Sequence, residues 1–144
     1  MLKEKLDEIL RKHEKWLDNK EDGERAHLCR ADLRSVNLDV VNLRWADLCG
    51  ADLRGARLCG TDLYGASLCG ADLHLAYLHK ANLRRADLRG ADLSNADLSE
   101  ADFRWAKLHG VNFSEAYLHK AELRGADFCD ADLREANLSE VKCD

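Results

Sequence analysis

The sequence predicts an all-β solenoid preceded by one amphipathic helix, and three observations predict it. From Ala26 to Glu140 the chain is a five-residue unit, small-polar-Leu-variable-variable, repeated 23 times without an insertion. Ala31-Asp32-Leu33-Arg34-Ser35, Ala51-Asp52-Leu53-Arg54-Gly55 and Ala91-Asp92-Leu93-Ser94-Asn95 show it. Within a unit the small residue and Leu stand two apart, so both point to one side of an extended chain while the polar residue between them points to the other. Eight of the nine glycines fill the fifth place, where a turn needing positive φ prefers them. Each unit is therefore a very short strand plus a corner, and corners at a fixed period wind the chain into a coil.

The helix comes first. Leu2, Leu6, Ile9, Leu10, His13, Trp16 and Leu17 recur at spacings of three and four, one face of a helix whose remainder is Lys, Glu, Asp and Arg. The spacing predicts a helix over about residues 2–19, roughly 27 Å long. The polar run from Asp18 ends in Gly23, the expected stop and turn. Repeat arrays expose apolar core at their ends and need caps. Residues 1–25 are accordingly expected to form a capping helix and turn, with Leu6, Ile9, Leu10, His13, Trp16 and Leu17 lidding the first coil. Acids mixed with bases on the polar face speak against a membrane-surface helix.

Residues 26–144 are expected to form the array. The Leu and Phe places face its axis, with Leu33, Leu53, Leu73, Leu93, Phe103, Phe113 and Phe128 as core. The small places, mostly Ala with Val36, Val41, Thr61 and Val111, face inward too, because two large inward residues per strand would overfill a thin tube. These A-[DN]-[LF]-x-x units resemble the pentapeptide repeat family over about four-fifths of the chain. The resemblance implies a right-handed quadrilateral parallel β-helix with four units per coil. That makes about six coils, a rod roughly 25–30 Å tall at ~4.8 Å per coil.

Stacking the sequence every 20 residues gives the outward columns. One reads Cys29, Cys49, Cys69, Arg89, His109, Cys129. Thiols on consecutive coils invite a metal or redox reading; copying of duplicated units accounts for them without it, no fourth tetrahedral ligand is evident, and Cys59 falls on the opposite face beneath His79. Six cysteines without a secretory signal are expected to be free thiols in a reducing cytosol. A second column, Asp32, Asp52, Asp72, Asp92, Asn112, Asp132, recurs on every coil and is expected to hydrogen-bond local backbone rather than do acid/base work. The column Arg44, Tyr64, Arg84, Arg104, Arg124 alternates with neighbouring acids as a salt-bridged solvated face.

His27, His74 and His119 lie outward with no nucleophile and orienting group assigned beside them, and no P-loop, GxGxxG or HExxH is present. No catalytic residue, metal site or cofactor is assigned. Trp45 and Trp105 occupy the same corner three coils apart, as partner anchors or as packing on the adjacent corner.

The net charge of −5 and the pI of about 5.7 argue against direct binding to nucleic acid or an anionic membrane. The start lacks a signal-length apolar run and no 18 apolar residues are consecutive, so a cytoplasmic protein is expected. Residues 26–85 carry 8 basic and 6 acidic side chains, whereas 86–144 carry 7 and 13. The reading that follows is a non-enzymatic structural or protein-interaction module, a rigid rod with an unknown protein partner. The resemblance implies an alternative, since some family members are DNA mimics that bind type II topoisomerases such as gyrase. Those members are longer dimers with outer loops, a C-terminal helix and acidic surface along the whole rod, whereas this sequence shows no loop, no C-terminal helix and an uncharged-to-basic first half. A thiol-based metal-binding protein is the second alternative. Cys143 takes the Leu place of the last, partial unit, and nothing follows to cover Phe128, Leu133 and Leu138. An open coil end of that kind predicts an end-to-end homodimer.

Overall fold

The computed structural model describes all 144 residues. Its one helix, α1, spans Lys3–Leu17. From His27 onward each unit contributes a single bridging residue, the polar second place, paired in parallel with residues 20 before and 20 after it within the rod and on one side only in the first and last coils. His27 pairs with Asp47, Asp47 with Ser67, and the series runs to Glu122 with Lys142. The short strands are this short because a turn claims the rest of every unit.

One unit shows why the repeat needs the residues it has. The amides of Leu53 and Gly55 donate to Asp72 and His74 carbonyls in the next coil at 2.7 and 3.0 Å, and that of Asp52 donates to the Ala31 carbonyl in the preceding coil at 2.9 Å. The Ala56 amide closes the turn on the Leu53 carbonyl, and the turn's third residue, Gly55, has φ +64° as a type II turn requires. Only the Arg54 amide is left, and Asp52 Oδ1 accepts it at 3.3 Å. The same bond runs from Tyr64 to Asp62, Ser94 to Asp92 and Ser139 to Asn137. Asp or Asn at the second place thus satisfies the one amide that neither turn nor ladder uses.

The inward side chains form one apolar cluster of 37 buried residues. Leu33, Leu53, Leu73, Leu93, Phe103 and Phe113 lie inside it, and the two Phe rings meet edge to face across the tube at 5.9 Å. Phe128 does not belong to this core. It is 42% exposed, because it sits in the last coil with no coil stacked beyond it.

Leu6 of α1 is buried in the cluster, and Ile9 and Leu10 pack against its first-coil end. His13 is fully buried, and its Nδ1 accepts the amide of Ala26, the first array residue, at 3.0 Å. Trp16, half-buried with Leu17, stacks on His13 at 5.6 Å. Leu2 departs from the stripe, being 74% exposed ahead of the first helical turn. The helix stops earlier than the glycine suggests. Asn19, with φ +52°, donates to the Trp16 carbonyl while Lys20 donates to Lys15, which ends the helix as a Schellman motif. Gly23 serves a different need: a Cβ there would sit 2.5 Å from the Trp16 backbone nitrogen, so only hydrogen lets the chain pass back along α1 toward the array.

Candidate functional site

Two of the outward regions with exposed apolar side chains carry the residues that the sequence marked as partner surface, and neither is an enclosed catalytic cleft. The first is the face that carries Trp45 and Trp105, which are 45% and 60% exposed. Each indole lies on the corner of the next coil, where Gly65 and Gly125 stand; a Cβ at either position would run into the ring. The two anchors proposed from sequence are therefore partly self-packed, and the signal for this was a Trp followed 20 residues later by Gly. Trp45 also meets Tyr64 edge to face at 5.3 Å, and the Arg44 guanidinium lies 4.9 Å over the Tyr64 ring. Alongside, Arg104 pairs with Asp102 at 2.6 Å and Arg124 with Glu122 at 3.2 Å, so the charges of this face are largely matched.

The second region is the last coil. Phe128, Leu133, Leu138 and Val141 ring an apolar hollow of about 120 Å³ at the end of the tube. Phe128 and Leu138 are 42% and 43% exposed, and Leu133 is half-buried. At the other end a cleft of about 620 Å³ runs between α1 and the first coil, past Leu6, Leu10, Leu33 and Val36.

The remaining candidates resolve into structural roles. Arg34, Arg54, Arg89 and Arg134 each grip the Asp two residues earlier through two nitrogens, with closest contacts of 2.5–2.6 Å. The guanidinium holds each carboxyl below the usual Asp range, at about 2 for Asp132 and furthest below it for Asp32. A carboxylate so held is a poor proton carrier at neutral pH.

Stacking brings together groups that reading the units singly had kept apart. His74 Nδ1 lies 2.9 Å from Ser94 Oγ and His119 Nδ1 lies 2.8 Å from Ser139 Oγ, each pair exactly one coil apart in sequence. Neither imidazole has a carboxylate hydrogen-bonded to its second nitrogen, so the orienting member of a triad is missing.

The cysteine column corrects the expectation of free thiols for one pair. Cys49 and Cys69 are joined as a disulfide, their Cα atoms 4.8 Å apart. Coil spacing alone falls within the Cα separation of about 4.4–6.8 Å that a disulfide spans, so any two stacked cysteines meet that requirement. Cys29, Cys59, Cys129 and Cys143 are free. Asp47 and Asp127 push the Cys29 and Cys129 thiols up, and burial does the same for Cys59. All three are held protonated, the form that neither attacks nor ligates well. No group of three His, Cys, Asp or Glu is placed to hold a metal ion.

With the 20-residue coil and its columns in view, the comparisons agree with them. A family model described as Pentapeptide repeats matches eight copies over residues 37–74, 76–114 and 112–142. The chain belongs to the pentapeptide repeat family. Among solved structures, it is similar to a pentapeptide repeat protein from the Arabidopsis thaliana thylakoid lumen, at 32% identity and TM-score 0.69 over 72% of each chain. A second likeness is to the pentapeptide repeat protein Rfr23 from the cyanobacterium Cyanothece 51142, at 34% identity and TM-score 0.52 over 65% of this chain and 60% of that one. No curated protein matches the sequence at a significant level. Membership of the pentapeptide repeat family fixes the architecture as a right-handed quadrilateral β-helix. No helix of this pentapeptide repeat protein is long and apolar enough to cross a membrane.

Proposed function

We propose that this chain is a non-enzymatic interaction module, a rigid β-helical rod of about six coils over residues 26–144. Residues 1–25 form its cap, and the rod pairs with a second copy through the last coil. The observation that carries the reading is the apolar hollow of Phe128, Leu133 and Leu138, whose amides have no ladder partner. Unpaired ladder edge beside exposed apolar surface is what a second edge satisfies. The face of Trp45 and Trp105 offers a protein partner aromatic surface within a charge-matched surround. Sedimentation velocity at tens of micromolar tests the pairing: a dimer that Leu138→Asp dissociates without unfolding supports it, and a monomeric parent overturns it.

A topoisomerase-binding DNA mimic asks for acidic surface along the whole rod. Here the first half of the array is net +2 and the second −6, which supports the module over the mimic. Inhibition of gyrase supercoiling at submicromolar protein would reverse that order. Cytoplasmic location belongs to the same proposal, and the Cys49–Cys69 disulfide pulls against it because such a bond persists in oxidising surroundings. The mass of the protein extracted with its thiols trapped reports which holds.

A further inference from the structure

The face after Leu75 departs from the repeat in a regular way. Its units read Ala76-Tyr77-Leu78-His79-Lys80, Ala96-Asp97-Leu98-Ser99-Glu100, Ala116-Tyr117-Leu118-His119-Lys120 and Ala136-Asn137-Leu138-Ser139-Glu140, so that Tyr alternates with Asp or Asn coil by coil. Tyr77 bridges to Asp97 and Asp97 to Tyr117, which places an acidic residue between two tyrosines in one outward column. At the tyrosines the local bond of the second place is given up, since Tyr cannot accept the amide two residues on as Asp97 accepts that of Ser99 at 3.1 Å. Both rings are about half exposed, at 52% and 55%. Together with Leu75, Asn95, Asp97 and Ser99 they line a groove of about 310 Å³.

The charge in this groove has no internal counterion. Asp97 accepts only from Ser99, through Oδ1, at 2.6 Å from the hydroxyl. The lysines of the face are taken by corner glutamates, Lys80 by Glu100 and Lys120 by Glu140, each at 3.9 Å. Arg57, one coil below Tyr77, is held by Asp39 at 2.6 Å. Elsewhere Asp32, Asp52, Asp87, Asp102 and Asp132 each have an Arg of their own.

We infer that Tyr77, Asp97 and Tyr117 form a slot for a lysine or arginine side chain presented by a protein partner. Two coils separate the ring-bearing residues by roughly 9–10 Å of strand spacing. A cation over Asp97 stands midway, within the ~6 Å at which ring faces attract it. Leu75, 53% exposed at the adjoining corner, supplies apolar surface for the aliphatic stem, which a bare metal ion or small amine does not need. The slot rests on the reading of the rod as an interaction module and names the chemistry of one contact.

The test is an NMR titration of the whole chain with N-acetyl-lysine methylamide, N-acetyl-arginine methylamide and the neutral N-acetyl-citrulline methylamide. Saturable shifts at Tyr77, Tyr117 and Asn95 are expected with the two cations, and at least fivefold weaker binding after Asp97→Asn. That variant keeps the local backbone bond, because Asn137 already makes it in the same column at 3.0 Å. Citrulline binding as well as arginine, unchanged affinity in D97N, or no shift at the two tyrosines would each overturn the slot. The readout does not depend on self-association, so a monomeric rod and an empty slot are separate results.

Discussion

Each unit turns its corner on a residue with φ between 54° and 70°, and 15 of these 23 corners are not glycine. The left-handed conformation costs an ordinary residue roughly 1–2 kcal/mol, most for β-branched side chains. Val40 is the worst placed, β-branched at φ +62° and 80% exposed, so it carries the strain and recovers little burial. Val40→Gly should raise stability by about 0.5–1 kcal/mol, the relieved strain less the added chain entropy of glycine, read as a higher urea midpoint. Gly65 and Gly70 share φ +65°, yet a Cβ at Gly70 meets open space while one at Gly65 meets the Trp45 ring. Gly65→Ala is therefore expected to cost about 1–3 kcal/mol more than Gly70→Ala. The excess should vanish in a Trp45→Ala background; equal losses in the parent would mean the indole moves aside freely.

In α1 the docking contact is a buried imidazole. Burial lowers the His13 pKa below its ordinary 6.5, and its Nε2 has no hydrogen-bond partner. As pH falls, the unfolded chain takes up this proton before the folded one does, so stability rises with pH through the window below about 6.5. The thermal midpoint should be lower at pH 5.5 than at pH 7.5, and His13→Gln should flatten that slope; parallel slopes would refute the assignment. The Asp ladder acts at lower pH. Asp52 and Asp132, gripped by Arg54 and Arg134, titrate below the ordinary range, so their support is complete above about pH 4 and is lost as pH falls toward 2. Circular-dichroism melts at pH 7, 4 and 2 should show the steepest loss in the last interval.

For the rod as a whole, each coil contacts only its neighbours, so the cost of a mutation depends on whether a coil lies on both sides. Leu83 is fully buried mid-rod, and Leu83→Ala should cost about 2–5 kcal/mol while Leu83→Asp unfolds the array. Leu138 is the same residue type at the same place of its unit, but it lies in the last coil and is 43% exposed. Leu138→Ala should cost under about 1 kcal/mol in dilute protein, measured by the same denaturant titration. Comparable losses at the two positions would mean that the last coil is covered in solution.

Much of this was legible in the sequence because a strict repeat leaves no choice of register. The inward Leu33, Leu53, Leu73 and Leu93, the Asp ladder and the Gly corners follow from a five-residue period, and the stripe from Leu6 to Leu17 follows from helical spacing; both are local properties. What the tertiary structure decided depends on contacts 20 residues apart. It showed Phe128 outside the core and Asn19 rather than Gly23 as the helix stop. It also joined Cys49 to Cys69, brought His74 to Ser94 and His119 to Ser139, laid Trp45 over Gly65, and left Asp97 between two tyrosines without a counterion. The column is set by the period, but which side chains within a column meet is set by coil closure, by rotamer and by what lies on the next coil.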